Sequence, residues 1–148
     1  MRTINRWLKR VVGGLGFLAA LGALATAPTG RYLIDGRTVY DTTSKLTWNR
    51  DIRTALTLVA AGTYCGDLSL NGFDDWRLPT LKELQSLVDF RTGNPAIDTT
   101  VFEGTPNADF WSSTPTSFDS TATWVVGFGD GLSAAAGTAP KAARCVRP

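Results

Sequence analysis

The alternation of apolar and polar residues predicts a sheet-rich domain that begins near residue 31. The segments Tyr32 to Ile34 and Thr38 to Tyr40 are short β-prone runs joined through the dipeptide Asp35-Gly36. Asp-Gly tolerates positive φ at both turn positions, so the pattern predicts a tight β-hairpin. Leu46 and Trp48 flank a polar residue and predict a third strand with both side chains on one face.

Two segments have helical spacing instead. From Ala55 to Tyr64 we predict a short helix with Thr54 as the N-cap, because its apolar residues fall at helical intervals. A second helix is predicted to start at the capping box formed by Thr80 and Glu83 and to end near Arg91. The apolar positions are Leu56, Val59 and Ala60 in the first helix, and Leu81, Leu84, Leu87 and Val88 in the second.

The second half of the chain is rich in strands and irregular segments. Phe110 to Thr114 predicts a buried strand, and the alternation of Trp124, Val126 and Phe128 predicts a strand with one apolar face. The stretch 134–139 is bland and is predicted to be flexible. A terminal strand over 144–147 would put Cys145 and Val146 on opposite faces. Helices that precede strands without βαβ alternation indicate an α+β fold with a largely antiparallel sheet.

The first 25 residues have the layout of a secretory signal peptide. Four basic and no acidic residues precede the uncharged run from Val11 to Leu24. This run is shorter than the roughly 20 residues that span a bilayer, so cleavage is favoured over retention as a membrane anchor. Cleavage after Ala25 is favoured over cleavage after Ala27, which would put Pro28 at the scission site.

The predicted organisation is therefore a signal peptide at 1–25, a short linker at 26–30 and one domain at 31–148. The location would be periplasmic, secreted or at the cell surface, with no stable membrane span after cleavage. The full chain has 15 basic and 13 acidic residues. Four basic residues leave with the signal, so 11 basic residues face 13 acidic ones, a net charge of −2. This balance does not support binding to nucleic acid.

The numbers of cysteine and histidine residues limit the kinds of catalytic and metal-binding site that the chain can form. Cys65 and Cys145 are the only cysteines, and in an oxidising compartment such a pair is usually a structural disulfide. A reactive thiol is the alternative, and it needs a setting that lowers its pKa. The absence of histidine excludes His-containing catalytic triads and HExxH zinc sites. The pair Asp74-Asp75 is interpreted as a capped turn rather than a metal site. We therefore predict no catalysis, cofactor or metal.

Six ordered motifs and both cysteines resemble a known family. The motifs are Trp76-Arg77-Leu78-Pro79-Thr80, Lys82-Glu83-Leu84, Pro95-Ala96-Ile97-Asp98, Phe110-Trp111-Ser112-Ser113-Thr114, Trp124-Val125-Val126-Gly127-Phe128 with Asp130-Gly131, and Arg144-Cys145-Val146-Arg147. In this order they resemble the Lcl C-terminal domain family, named after the carboxyl-terminal module of a bacterial collagen-like adhesin. The segment 41–48 and the pair Tyr64-Cys65 match the early part of the family pattern. The resemblance covers about residues 31–148.

The resemblance implies a C-type-lectin-like fold in which two short helices pack on a mostly antiparallel sheet with long irregular loops. It also implies that Cys65 and Cys145 occupy the family's disulfide positions. The named member of the family is an adhesin that binds sulfated glycosaminoglycans. This chain has no collagen-like repeat and lacks the Glu-Pro-Asn and Gln-Pro-Asp signatures of calcium-dependent sugar sites. No calcium site is therefore implied.

Candidate ligand-binding residues follow from the same resemblance. Because the implied fold brings the chain ends together, Arg31, Arg144 and Arg147 are candidates for a basic cluster. The other candidate segments are the loop 114–121, the turn 129–131 that contains Asp130, and the stretch 133–141.

The leading hypothesis is an exported, non-catalytic binding or adhesion module whose partner is an extracellular glycan, a glycosaminoglycan or a cell-surface protein. A structural or assembly component of the cell envelope is the first alternative. The second is an enzyme related to the formylglycine-generating enzymes, which share the implied fold. That enzyme would need reactive thiols, which the expected disulfide removes.

Overall fold

The computed structural model describes residues 27–119 and 121–148. The predicted signal peptide and its favoured cleavage site after Ala25 lie outside the described residues. Within them the chain forms two helices and two mostly antiparallel sheets, which confirms the α+β class. The strands are β1 (Tyr32–Asp35), β2 (Thr38–Asp41), β3 (Leu46–Asn49), β4 (Arg53–Leu56), β5 (Asp109–Pro115), β6 (Thr123–Gly127), β7 (Ser133–Ala136), β8 (Lys141–Ala143) and β9 (Val146–Arg147). The helices are α1 (Leu58–Gly66) and α2 (Leu81–Gln85).

The first sheet has four antiparallel strands in the order β1-β2-β3-β9. The predicted β1–β2 hairpin is confirmed, but its turn is one residue later than predicted. Asp35 pairs with Thr38, so Gly36 and Arg37 are the turn residues. Gly36 has a φ of 56° and Arg37 has no positive φ. Glycine at the first turn position is typical of a type II′ turn.

The second sheet has five strands in the order β4-β8-β5-β6-β7, with β5 and β8 parallel and the other pairs antiparallel. Two of its three interior strands, β5 and β6, are buried on both faces, because Phe110 and Val126 belong to one apolar cluster and Trp111 and Val125 to another. The prediction that β6 has one apolar face is therefore wrong. Trp124, the second residue of the strand, is only half-buried.

The two apolar clusters lie on opposite sides of this sheet. The first also contains Trp48 of β3 and Leu84 of α2, and the second contains both cysteines. Cys145 and Val146 belong to different clusters, as predicted for neighbours on opposite faces. The Cα atoms of Cys65 and Cys145 lie 5.4 Å apart and the two residues form the predicted disulfide.

The helix α2 begins as predicted. The Thr80 hydroxyl accepts a hydrogen bond from the Glu83 amide, and the Glu83 carboxylate accepts one from the Thr80 amide. The helix ends at Gln85, well before Arg91, although Leu87 remains buried. The leucine stripe thus extends past the helix into the turn that follows it.

The prediction for the first helix is wrong at its start. Residues 53–56 form β4, which pairs with β8, and Ala55 has a φ of 56°. The N-cap is Thr57, not Thr54, and its hydroxyl accepts a hydrogen bond from the Ala60 amide. Val59 is 79% exposed. Pairing with a distant strand therefore overrides the local helical spacing.

The stretch 134–139 is also more ordered than predicted, because residues 134–136 belong to β7. Small side chains at an edge strand carry little apolar pattern, which explains the error. Among the described residues, no helix is long and apolar enough to cross a bilayer.

Candidate functional site

Arg144 lies in the interior, not on a binding surface. Its side chain is fully buried. Its Nη1 atom donates hydrogen bonds to the carbonyl oxygens of Asn49 and Arg50, at 2.9 and 2.8 Å, and Nη2 donates to Thr105 Oγ1 at 2.7 Å. The guanidinium carbon also lies 4.8 Å from the centre of the Phe102 ring. Burial lowers the pKa of the Arg144 guanidinium. This arginine joins β3 and the following segment to the chain end.

Arg31 and Arg147 form ion pairs at opposite edges of the first sheet. Arg31 precedes the edge strand β1, and its Nη2 atom lies 2.9 Å from Asp41 Oδ2. Arg147 belongs to β9, the other edge strand, where it pairs with Asp75 and lies 3.8 Å from the Phe73 ring centre. The basic cluster expected from Arg31, Arg144 and Arg147 is therefore not formed, because two strands separate the surface arginines and the third is buried.

Asp130 lies in a polar depression of about 440 Å³ at the turn between β6 and β7. The depression is lined by Asn94, Asn107, Ala108, Asp109, Gly127, Gly129 and Asp130. The four polar side chains among these residues are all exposed. They come from three segments of the chain that only the folded structure brings together. Of the four predicted ligand-binding residues, Asp130 lines this depression, whereas Arg31, Arg144 and Arg147 do not.

Glycine forms the floor of the depression. A Cβ atom at Gly127 would lie 3.1 Å from Asp109 Oδ1 and 3.5 Å from Asp130 Oδ1. A side chain at this position would therefore crowd both carboxylates and fill the space between them. The motif 127–131, interpreted from sequence as a glycine-rich turn, is thus the local signal for this site.

Hydrogen bonds fix one side of each polar group and leave another side open. Asn107 Nδ2 donates to Asn94 Oδ1 at 3.3 Å, and the Leu132 amide donates to Asp130 Oδ1 at 2.9 Å. The Lys141 ammonium lies 3.4 Å from Asp109 Oδ2. Asn94 Nδ2, Asn107 Oδ1 and Asp130 Oδ2 have no protein partner among residues 27–119 and 121–148. The depression thus offers both donors and acceptors to a ligand.

A second cavity, of about 280 Å³, lies at the start of α1. Its lining includes Thr121 and the residues 136–138, so it joins two of the segments predicted to bind ligand. Trp111 is almost completely buried beneath it and donates from Nε1 to the Leu56 carbonyl at 2.8 Å. Its lining is mainly apolar and carries no charged side chain. This cavity therefore offers less polar recognition than the depression at Asp130.

Part of this arrangement was not predicted from sequence. Asn94 and Asn107 lie in the segment interpreted as turn-rich and irregular, where asparagine is common for conformational reasons alone. The Asn94 amide donates to the Gly129 carbonyl at 3.1 Å, and this contact draws the segment to the turn. In the part of the chain that the structure describes, no group of three or more acidic or cysteine side chains is placed to hold a metal ion.

The family model for the Lcl C-terminal domain matches residues 37–147. A search of curated proteins finds no match to the chain. The family match includes both cysteines, the capping box and the glycine-rich turn that forms the depression. Membership of this family suggests a non-catalytic module. Because the match spans well over half of the sequence, the chain belongs to the Lcl C-terminal domain family.

Proposed function

We propose that this protein is an exported, non-catalytic binding module that recognises an uncharged carbohydrate at the polar depression around Asp130. The observation that carries the proposal is the set of planar amide and carboxylate side chains above a glycine floor. The depression, at about 440 Å³, falls in the size range of small-ligand sites in proteins.

The chemistry of the open atoms supports a sugar ligand. Each sugar hydroxyl both donates and accepts a hydrogen bond, and neighbouring hydroxyls present such groups side by side. Asn94 Nδ2 is a donor, whereas Asn107 Oδ1 and Asp130 Oδ2 are acceptors. A hydrogen bond to a charged acceptor is also stronger than one between neutral groups. The glycine floor lets a ring approach the backbone closely.

The charge of the site favours an uncharged ligand over a sulfated glycosaminoglycan. Lys141 lies beside Asp109, but Asp130 has no cationic partner within the described residues. An anionic ligand would be repelled by Asp130 and would find no basic cluster formed by the predicted arginines. The net charge of −2 after signal removal also disfavours an anionic ligand.

Export and a C-type-lectin-like fold are parts of the same proposal. The basic and apolar layout of residues 1–25 supports export, and a disulfide is typical of oxidising compartments. The α+β organisation, with the last strand returned to the first sheet, supports the lectin-like fold. Both thiols are engaged in the disulfide, which argues against a thiol enzyme. The expected location is the periplasm, the cell surface or the medium.

A glycan array probed with the purified chain 26–148 tests the binding proposal. Retention of uncharged glycans is expected, and Asn107→Ala or Asp130→Asn should weaken binding about tenfold, the effect of one lost hydrogen bond of roughly 1.4 kcal/mol. Asp74→Asn is the matched control, because Asp74 is also exposed and does not line the depression. Absence of any retained glycan, or binding that both variants leave unchanged, would refute the proposal.

A structural role in the envelope is the second candidate, and one observation favours it. The edge strand β1 exposes Leu33 and Ile34 by 54% and 50%, and the neighbouring Tyr40 of β2 is also exposed. An open apolar edge is a common site of strand addition by another chain. If this role is correct, Ile34→Lys should abolish co-purification of a stable protein partner and leave glycan binding unchanged.

A further inference from the structure

The cavity of about 280 Å³ at the start of α1 has a mainly apolar surface. Trp111, which is 1% exposed, lines it together with Leu58 of α1 and Ala136 of β7. Trp111 and Ala136 belong to the same apolar cluster as the disulfide, so the packed interior holds them in place. Among the described residues that line the cavity, none carries a charge. An apolar group can therefore enter it without displacing a charged side chain.

The first turn of α1 also lines this cavity, through Thr57, Leu58 and Val59. The first four amides of a helix have no acceptor within the helix. The Thr57 hydroxyl accepts a hydrogen bond from the Ala60 amide, and the Thr57 carbonyl accepts one from Ala61. The amides of Leu58 and Val59 remain donors without an acceptor in the part of the chain that the structure describes. The first turn has no acidic side chain, so the positive end of the helix dipole is available at the cavity.

A buried hydroxyl of β6 faces the same cavity. Thr123 lines it and is only 6% exposed. Alternate residues of a strand share a face, and Val125, two positions further on, packs in the cluster of Trp111. The Thr123 hydroxyl has no hydrogen-bond partner within residues 27–119 and 121–148. Buried hydroxyls are hydrogen-bonded in most proteins, so this one indicates a ligand independently of the helix.

We propose that this cavity binds a small organic acid that has one carboxylate and a compact apolar body. The carboxylate accepts hydrogen bonds from the amides of Leu58 and Val59 and from the Thr123 hydroxyl. The apolar body lies against the Trp111 indole. A carboxylate has about four lone-pair sites, which is enough for these three donors. Its negative charge also complements the positive end of the helix dipole, as at other helix N-termini that bind anions.

The volume of the cavity favours a free acid over the carboxyl end of a peptide chain. A volume of about 280 Å³ corresponds to roughly nine water molecules at about 30 Å³ each. A single ring with a short acid arm, such as phenylacetate, occupies such a space. A peptide end would need the same space and an exit for the preceding residues.

The acid site is separate from the proposed glycan site. Thr123 begins β6, whereas Gly127, in the floor of the depression at Asp130, ends it. The inference therefore does not depend on carbohydrate binding, and the failure of one proposal leaves the other standing.

An NMR titration with phenylacetate tests the site in the unsubstituted protein, purified from cells that express the full chain. We expect a dissociation constant of about 1 mM or lower, which is ordinary for a ligand of this size. The largest shifts should occur at the amides of Leu58 and Val59 and at the Trp111 indole. Phenylacetamide, which has the same shape without the charge, should bind at least about fivefold more weakly. Equal affinity of the two compounds, or largest shifts at Asp130, would overturn the proposal.

Two variants test the residues that form the site. Thr123→Val keeps the shape of the side chain, removes the hydroxyl and should weaken phenylacetate binding about tenfold. Thr47→Val is the matched control, because Thr47 is a half-buried strand residue that does not line the cavity. Ala136→Leu should fill the cavity and abolish binding, while the disulfide and the remaining NMR spectrum stay intact. Binding that either Thr123→Val or Ala136→Leu leaves unchanged would overturn the proposal.

A titration with N-acetyl-glycyl-phenylalanine distinguishes a free acid from a chain end. This dipeptide has the same ring and carboxylate, but it also carries a preceding residue. It should bind at least about fivefold more weakly than phenylacetate, because the extra residue exceeds the volume of the cavity. Tighter binding of the dipeptide would overturn the assignment to a small free acid and would identify a site for carboxyl-terminal residues.

Discussion

Arg77 and Glu83 are joined by two hydrogen bonds between guanidinium and carboxylate, at 2.8 and 2.7 Å. The same carboxylate accepts a hydrogen bond from the Thr80 amide and so completes the capping box of α2. Arg77 also exchanges two backbone hydrogen bonds with Val146, each at 2.9 Å. One acidic side chain therefore links the start of the helix to the segment that holds the end of the chain.

This pair predicts a specific loss of stability in acid. The hydrogen bonds from Arg77 lower the pKa of Glu83 to about 2, well below its ordinary value of 4.5. The ionised carboxylate therefore stabilises the folded state above pH 4.5, and this contribution is lost as the pH falls from 4.5 towards 2. Because Arg77 is partly exposed, we expect Glu83→Gln to cost only about 1–2 kcal/mol at pH 7 and close to nothing near pH 2.

Urea denaturation across this pH range measures the difference between Glu83→Gln and the unsubstituted protein. Glu103→Gln is the matched control, because Glu103 is exposed and contacts Arg50 at 3.3 Å. Its cost should stay below about 0.5 kcal/mol. A stability difference for Glu83→Gln that does not change with pH would contradict the assigned role of the pair.

The disulfide is expected to dominate the stability of the domain. Cys65 and Cys145 are 80 positions apart, and closure of a loop of this length is worth roughly 4 kcal/mol in chain entropy. Replacement of both cysteines by alanine should lower the free energy of unfolding by about that amount, as measured with denaturant. The reduced protein should behave in the same way. A loss below about 1 kcal/mol would show that the constraint contributes little.

Features that depend on neighbouring residues were predictable from sequence. The capping box needs only Thr80 and Glu83, three positions apart, and the β1–β2 hairpin needs a glycine between two β-prone runs. The disulfide followed from the presence of just two cysteines in a chain with an export signal. The capping box and the hairpin each depend on a few residues that are close together in the sequence. The disulfide is predictable for another reason, because two cysteines allow only one intramolecular pairing.

Features that depend on distant pairing were not predictable. Arg53 of β4 pairs with Ala143 of β8, and nothing near residue 53 encodes that partner. The candidate site shows the same division, because Asp130 stands in a recognisable glycine-rich turn whereas Asn94 and Asn107 reach it only through tertiary contacts. Arg144 was predicted to lie at the surface, but carbonyl oxygens of Asn49 and Arg50, distant in the sequence, accept hydrogen bonds from its guanidinium in the interior.

Substitution of Arg144 and of Arg147 is expected to lower the free energy of unfolding by very different amounts. Arg144→Ala should lower the free energy of unfolding by about 3–5 kcal/mol, because it leaves buried acceptors without donors. Arg147→Ala should cost about 1 kcal/mol, since its partner Asp75 is about half exposed and can be hydrated. Chemical denaturation of both variants tests the contrast. Equal costs would contradict the interior placement of Arg144.

The turn beside the candidate site supplies the last prediction. Gly131 has a φ of 80°, and a Cβ atom there would lie 2.6 Å from Val88 Cγ1 and 2.9 Å from Phe90 Cε1. Gly131→Ala is therefore expected to cost about 2–3 kcal/mol, from backbone strain together with steric overlap.

Gly137→Ala is the matched control, because Gly137 has an ordinary φ and no heavy atom lies within 4 Å of its added Cβ. It should leave stability unchanged or raise it by up to about 1 kcal/mol, since alanine restricts the unfolded chain more than glycine does. Because Gly131 follows Asp130 directly, Gly131→Ala should also weaken glycan binding, whereas Gly137→Ala should not. Equal stability of the two variants in denaturant would mean that the turn adopts another backbone conformation, and the geometry assigned to Asp130 would then be wrong.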